Sequence, residues 1–171
     1  MIISLLGYMG SGKSHVSKIL SEKLGFRLID LDFAIAEKHQ ESLTEIFRKK
    51  GEIFFRKEEK LVLEEMLKNE DSLVLSLGGG TPVYYNNMDV INEKSTSVFL
   101  RTSVPVLANR LLTEKEKRPL ISRITDDELP EFIAKHLFER NPFYSKAQIT
   151  IDTDGKTTTE IADEIISALH L

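Results

Sequence analysis

Gly7, Gly10, Gly12, Lys13 and Ser14 fall at the spacing G-x-x-x-x-G-K-S, and this stretch most restricts what the chain can fold into. It follows a short apolar run, Ile2–Leu6, which reads as a buried strand. It precedes Val16, Ile19, Leu20 and Leu24, which recur at helical spacing until Gly25 ends the pattern. In that strand–loop–helix setting, bare backbone lets successive amide N–H groups point into one anion-sized nest. The positive end of the helix dipole faces the same nest. Lys13 reaches outer phosphates and the Ser14 hydroxyl ligates Mg²⁺, so the segment from Gly10, Ser11 and Gly12 through Lys13, Ser14 and His15 reads as an ATP site.

The same alternation continues along the chain. Strands are predicted over 27–31, 72–77, 97–100 and 147–151. Helices are predicted over 33–39, from a Ser42 cap to a stop at Gly51, and over 53–68, 85–93 and 104–112. Two more are predicted over 126–139, stopped at Asn141 and Pro142, and after a Thr157 cap. Strands apolar on both faces require helices on both sides, so the expectation is a three-layer α/β domain over 1–171 with a five-stranded parallel sheet. Ligands then belong at the C-terminal edge of the strands. Residues 113–125 are polar and unpatterned, as a mobile lid would be.

Composition narrows the function classes. With 171 residues the chain fits one domain, and a net charge of −4 gives no support to a nucleic-acid or membrane-surface partner. There is no cysteine, so disulfides and thiolate metal sites are excluded, and the four histidines show no ligand spacing. The N-terminus lacks a basic leader and no apolar run is long enough to span a bilayer. A cytoplasmic location is expected, with small-molecule partners.

Several other residues fall where strands are expected to end. Asp30 and Asp32 close the second strand, and i, i+2 residues of a strand share a side. One carboxylate suits Mg²⁺ through water and the other a substrate hydroxyl, although Asp32 serves equally well as a helix cap. The third strand ends without an acid and no guanine-nucleotide signature is present, which argues against a GTPase switch. Gly78, Gly79 and Gly80 follow that strand as a tight turn or as a bed for a small substrate. Arg56 and Glu59 share a helix face, Arg118 lies in the expected lid, and Arg140 lies near a helix end. These residues leave open another small-metabolite kinase, such as a gluconate or nucleotide kinase, and a nucleotide-binding switch or adaptor.

Taken together the segments DLD (30–32), GEIFFRKEE (51–59), LGGG (77–80), KRPL (117–120), ERNPFY (139–144) and IDT (151–153) resemble the shikimate kinase family over nearly the whole chain. The resemblance implies a monomeric, nucleoside-monophosphate-kinase-like fold with a mobile lid. It also implies ATP-dependent phosphorylation of shikimate at its 3-hydroxyl, a step of chorismate and aromatic amino acid biosynthesis. By the same resemblance, Lys13, Asp32 and Arg118 are catalytic. Arg56 and Arg140 clamp the substrate carboxylate, Glu59 positions Arg56, and Gly78, Gly79 and Gly80 lie against the ring. Arg110 flanks adenine, and Asp30 supports the magnesium shell. Leu31 stands where the family commonly has a small polar residue, and its side chain is expected to point away from the ligand.

Overall fold

A computed structural model describes residues 1–69 and 71–171. Five parallel strands form one sheet: β1 (Ile2–Leu6), β2 (Arg27–Asp30), β3 (Leu73–Ser76), β4 (Thr96–Arg101) and β5 (Ile149–Asp152). Their spatial order is β2-β3-β1-β4-β5, so the strand carrying the glycine loop lies at the centre. The helices are α1 (Lys13–Leu24), α2 (Leu31–His39), α3 (Leu43–Leu67), α4 (Asn87–Lys94), α5 (Val104–Glu114), α6 (Leu129–Tyr144) and α7 (Thr158–Ala168).

Strand alternation sorts the core into two layers. Ile3 and Leu5 of β1 and Val74 of β3 pack with Val16 and Leu20 of α1 and with Ile161 and Ile165 of α7. Ile2 and Leu6 of β1, with Leu73 and Leu75 of β3, pack on the other face against residues of α2, α3, α5 and α6. The sheet is thus covered on both sides, as expected for parallel strands. The outer strands depart from the expected double-sided burial: Leu28 of β2 and Thr150 of β5 are exposed, because each edge strand has a neighbour on one side only.

Four local features shape the site. Gly12 has φ 91°, a left-handed conformation in which the loop turns into α1. Gly51 has φ 83° and ψ 172° and breaks α3 into two segments, as its reading as a helix stop required. The cap of α2 is Asp30, whose Oδ1 accepts from the Phe33 amide at 3.0 Å. Asp32 therefore does not cap that helix; it lies in the first turn, and Leu31 between the two is fully buried, pointing into the core. Finally, α6 does not stop before Pro142 but runs on to Tyr144. The missing N–H of Pro142 costs the Phe138 carbonyl its partner, and Phe138 is 82% exposed, so water can take that place.

Residues 113–125 are not structureless. The last turn of α5 runs into a 3-10 turn, Lys115–Lys117, and further tight turns join Arg118 to Ile121 and Ile121 to Ile124. Ile121 is fully buried in the core beside α5 and α6. Among the described residues no helix is long and apolar enough to cross a membrane.

Candidate active site

A cleft of about 570 Å³ opens at the C-terminal edge of the sheet. Residues 9–16 line it, together with Asp30, Asp32, Ser76, residues 77–79, Arg110, Glu114, Arg118, Lys156 and Thr158. The glycine loop, both aspartates and the lid arginine thus meet in one place, although they come from three separate stretches of chain.

The phosphate end of the cleft is organised by Lys13. Its Nζ donates to the carbonyls of Gly7 at 2.7 Å and Tyr8 at 3.1 Å, which pins the ammonium at the mouth of the loop. Its pKa falls from 10.5 to about 8, chiefly through burial; Asp32 opposes the fall, and Arg118 and Arg140 contribute to it. Arg110 donates from Nη1 to the Gly10 carbonyl at 3.0 Å and so braces the loop from α5. Arg118 donates to Glu114 Oε2 from Nε at 2.8 Å and from Nη2 at 2.6 Å, leaving it at the rim and engaged to the last residue of α5. His15 is exposed and lines the cleft beside Ser14.

The three glycines after β3 each face one charged side chain. A Cβ at position 78 would lie 2.8 Å from Asp32 Oδ1, at 79 it would lie 3.0 Å from Arg140 Nη1, and at 80 it would lie 2.7 Å from Arg56 Nη1. A side chain at any of these positions would displace the charged group facing it, so the glycines let one carboxylate and two guanidiniums close on the same bend of backbone. Asp32 is held in this positive surrounding, yet burial pushes its pKa from 3.8 up to about 6, with repulsion from Asp30 and Glu59 adding to the rise.

The two arginines are fixed differently. Arg56 donates to Glu59 Oε1 at 2.9 Å, and Glu59, only 1% exposed, also accepts from Thr81 Oγ1 at 2.9 Å. The Asn87 side chain in turn donates to the Thr81 carbonyl at 2.9 Å. The Arg56 guanidinium also stacks over Tyr84, 4.1 Å from the ring centroid. Arg140 has no carboxylate partner among the described residues. Its guanidinium lies 5.6 Å from the Tyr8 ring centroid, and Nη1 is 3.5 Å from the Tyr144 hydroxyl, which donates to the Gly79 carbonyl at 2.6 Å.

Sequence reasoning picked out Asp32, Arg56, Glu59, Arg118 and Arg140, and the fold brings all of them to the cleft or its continuation beside residues 79–80. It did not pick out Tyr8, Thr81, Tyr84 or Tyr144. Tyr8 occupies a position the glycine motif leaves free, and nothing in the local pattern marks it. Tyr144 was hidden by the expected helix stop at Pro142.

The oxygen donors near the loop are few. Ser14, Asp30 and Asp32 line the cleft, and among the described residues no group of three or more His, Cys, Asp or Glu side chains converges to hold a metal. Such a sparse, hard-oxygen set fits an ion that keeps several waters and takes its other oxygens from phosphate, which is the habit of Mg²⁺.

Comparison with known proteins agrees with this geometry. The family model described as shikimate kinase matches residues 9–170. A shikimate kinase from Flavobacterium psychrophilum is 44% identical over 164 residues, covering 95% of each chain. One from Flavobacterium johnsoniae is 42% identical and covers 98% of each. The crystal structure of shikimate kinase from Bacteroides thetaiotaomicron superposes with a TM-score of 0.93 at 35% identity, covering 100% of this chain and 99% of the other. Shikimate kinase from Acinetobacter baumannii in complex with shikimate superposes with a TM-score of 0.90 at 31% identity, covering 99% of this chain and 92% of the other. From its central glycine loop to its paired arginines, this chain belongs to the shikimate kinase family.

Proposed function

We propose that this protein transfers the γ-phosphoryl group of ATP to the 3-hydroxyl of shikimate, giving shikimate 3-phosphate and ADP. The observation that carries the reading is the closure of Arg56 and Arg140 on Gly80 and Gly79, beside Asp32 and at the end of the cleft that holds Lys13. Two guanidiniums at one bend suit a carboxylate, which each can grip through parallel hydrogen bonds. Asp32 suits a ring hydroxyl lying between that clamp and the phosphates.

In this reading the phosphates of ATP lie on the amides of Gly10, Ser11 and Gly12, with Lys13 at the outer phosphates and Arg110 toward the adenine side. Ser14, and Asp30 through water, would hold Mg²⁺, which would supply positive charge against the outer phosphates of ATP. The 3-hydroxyl oxygen forms a bond to the γ-phosphorus as the bond to the β–γ bridging oxygen breaks, and ADP leaves with that electron pair. Asp32 takes the hydroxyl proton, which its pKa of about 6 permits at neutral pH. Arg118 leaves Glu114 and moves onto the transferring phosphoryl group as residues 113–125 close like a lid.

All of these side chains come from one chain, so a monomer is sufficient. A cytoplasmic location fits both the pool of ATP and a chain without cysteine.

The test is ADP release measured over a panel of hydroxylated acids, with an amide analogue of shikimate included. Shikimate should be the best acceptor and the amide a poor one. Arg56→Lys and Arg140→Lys should each raise the KM for shikimate by about tenfold or more and leave the KM for ATP nearly unchanged. If the amide works as well as the acid, the clamp is wrong.

A further inference from the structure

We infer that Tyr8 is a positioning residue for the carboxylate clamp, anchored by His136, and that the pair holds Arg140 in place where no carboxylate does so. The inference rests on the function proposed above.

Arg56 has Glu59 as a buried counter-charge, and Glu59 has Thr81 behind it. Arg140 lacks any such partner among the described residues, although it faces the same bend of backbone. What lies against it is aromatic: the face of Tyr8 at 5.6 Å and the hydroxyl of Tyr144 at 3.5 Å. A guanidinium over a ring is attracted by the ring's negative face, and the attraction grows when water is excluded. Tyr8 is 1% exposed, so its ring is a fixed surface.

That surface is itself fixed from α6. Tyr8 Oη lies 2.9 Å from His136 Nδ1, and the two rings meet edge to face with centroids 5.3 Å apart. Phe132 also packs on the imidazole, with ring centroids 5.5 Å apart. The His136 pKa falls from 6.5 to about 4, chiefly through burial, with Arg140 contributing and Glu139 opposing. The imidazole is therefore neutral at working pH, so it braces Tyr8 without setting a second positive charge beside Arg140. His136 and Arg140 are also neighbours at i, i+4 on α6, so one helix supplies both the guanidinium and the brace for the ring beneath it.

Tyr8 also belongs to the phosphate loop, but through its backbone: its carbonyl accepts from Lys13 Nζ and from the Ser11 amide. Replacing the side chain leaves that carbonyl in place. The side chain should thus matter to shikimate and hardly to ATP, even though the residue lies inside the ATP-binding motif.

The experiment is steady-state kinetics with both substrates varied, on the wild type, Tyr8→Leu, Tyr8→Phe, His136→Phe and the double variant Tyr8→Phe/His136→Phe, with thermal melts alongside. Tyr8→Leu removes the ring and should raise the KM for shikimate roughly five- to tenfold, with the KM for ATP within about twofold of the wild type. His136→Phe leaves the buried Tyr8 hydroxyl without a partner, and Tyr8→Phe leaves Nδ1 of the half-buried imidazole without one. Each should raise the KM for shikimate by roughly threefold. Removing both partners at once relieves that penalty, so the double variant should recover most of the loss. A merely structural role would lower melting temperature and shift both KM values together; that result, or a double variant as impaired as the sum of the singles, overturns the inference. A wild type that releases no ADP with shikimate overturns the function reading, and the role of Tyr8 falls with it. An active wild type whose variants fail to separate the two substrates overturns the role of Tyr8 alone.

Discussion

Gly80 and Arg56 leave no room for one carbon between them: a Cβ at position 80 would lie 2.7 Å from Nη1 and 2.8 Å from Nη2 of the guanidinium. The backbone at Gly80 has φ −89° and ψ −14°, which any residue can adopt. Glycine is needed for space alone. Gly80→Ala should therefore fold normally but push Arg56 off Glu59, raising the KM for shikimate by about tenfold while the KM for ATP stays put. Two-substrate kinetics with a melting curve check it, and an unchanged KM for shikimate would remove Arg56 from the clamp.

Asp32 links activity to pH and to stability with opposite signs. Its pKa is about 6 in the folded protein and near 3.8 in the unfolded chain. Between those values the folded state binds more protons, so this group's contribution to stability falls as pH rises through the window. Above about pH 6 the destabilisation is complete, and below 3.8 it vanishes. Asp32→Asn should thus be more stable than the wild type at pH 7.5, by roughly 1–3 kcal/mol, and equal to it at pH 3.5. The same change should cut kcat by about 100-fold or more. In the wild type, kcat/KM should drop on the acid side with an apparent pKa near 6. Denaturant melts across pH, together with a pH–rate profile, decide the matter; a variant with normal turnover would leave Asp32 without a catalytic role.

Lys13→Ala tests the phosphate loop. Among the described residues the ammonium bonds only to backbone carbonyls, so its removal should cost little stability. Loss of its charge at the transferring phosphoryl group should lower turnover by about 100-fold or more. Near-normal kcat would contradict the assignment of the loop.

Closure over the cleft is checked by hydrogen exchange. Residues 113–125 already contain a 3-10 turn and a buried Ile121, so amides near Ile121 should be partly protected without ligand. Addition of a non-hydrolysable ATP analogue and shikimate should slow exchange further around Arg118. Glu114→Gln, which loosens the hold on Arg118, should change the rate of closure more than the affinity for either substrate. Exchange that is the same with and without ligands would rule out the lid.

Much of this architecture was legible in the chain. The strand–loop–helix at the N-terminus, the helix break at Gly51 and the Thr157 capping box each carry their own chemistry and appear as read. Legibility failed where a local rule met tertiary surroundings. Pro142 reads as a helix stop, but an exposed flank tolerates the lost hydrogen bond, and α6 continues to Tyr144. The DLD segment reads as strand, but the chain turns at Asp30, so Asp30 takes the cap and Asp32 keeps its carboxylate free for the cleft. The steric pairing of residues 78–80 with Asp32, Arg140 and Arg56 could not be read at all, because it joins four segments that only the fold brings together.

The central place of β1 also bears on how the chain is made. β1 leaves the ribosome before either of its neighbours: Ile2 waits for Leu73, and Ile3 waits for Thr96. Until then its five apolar or small residues, all buried in the finished sheet, are open to other chains and to chaperones. The glycine loop is thus translated before both strands that flank β1 and is assembled late. A ribosome-stalled chain ending before Leu73 should be cut readily by protease, whereas one with Arg101 well clear of the ribosome should hold β1 between β3 and β4 and begin to resist.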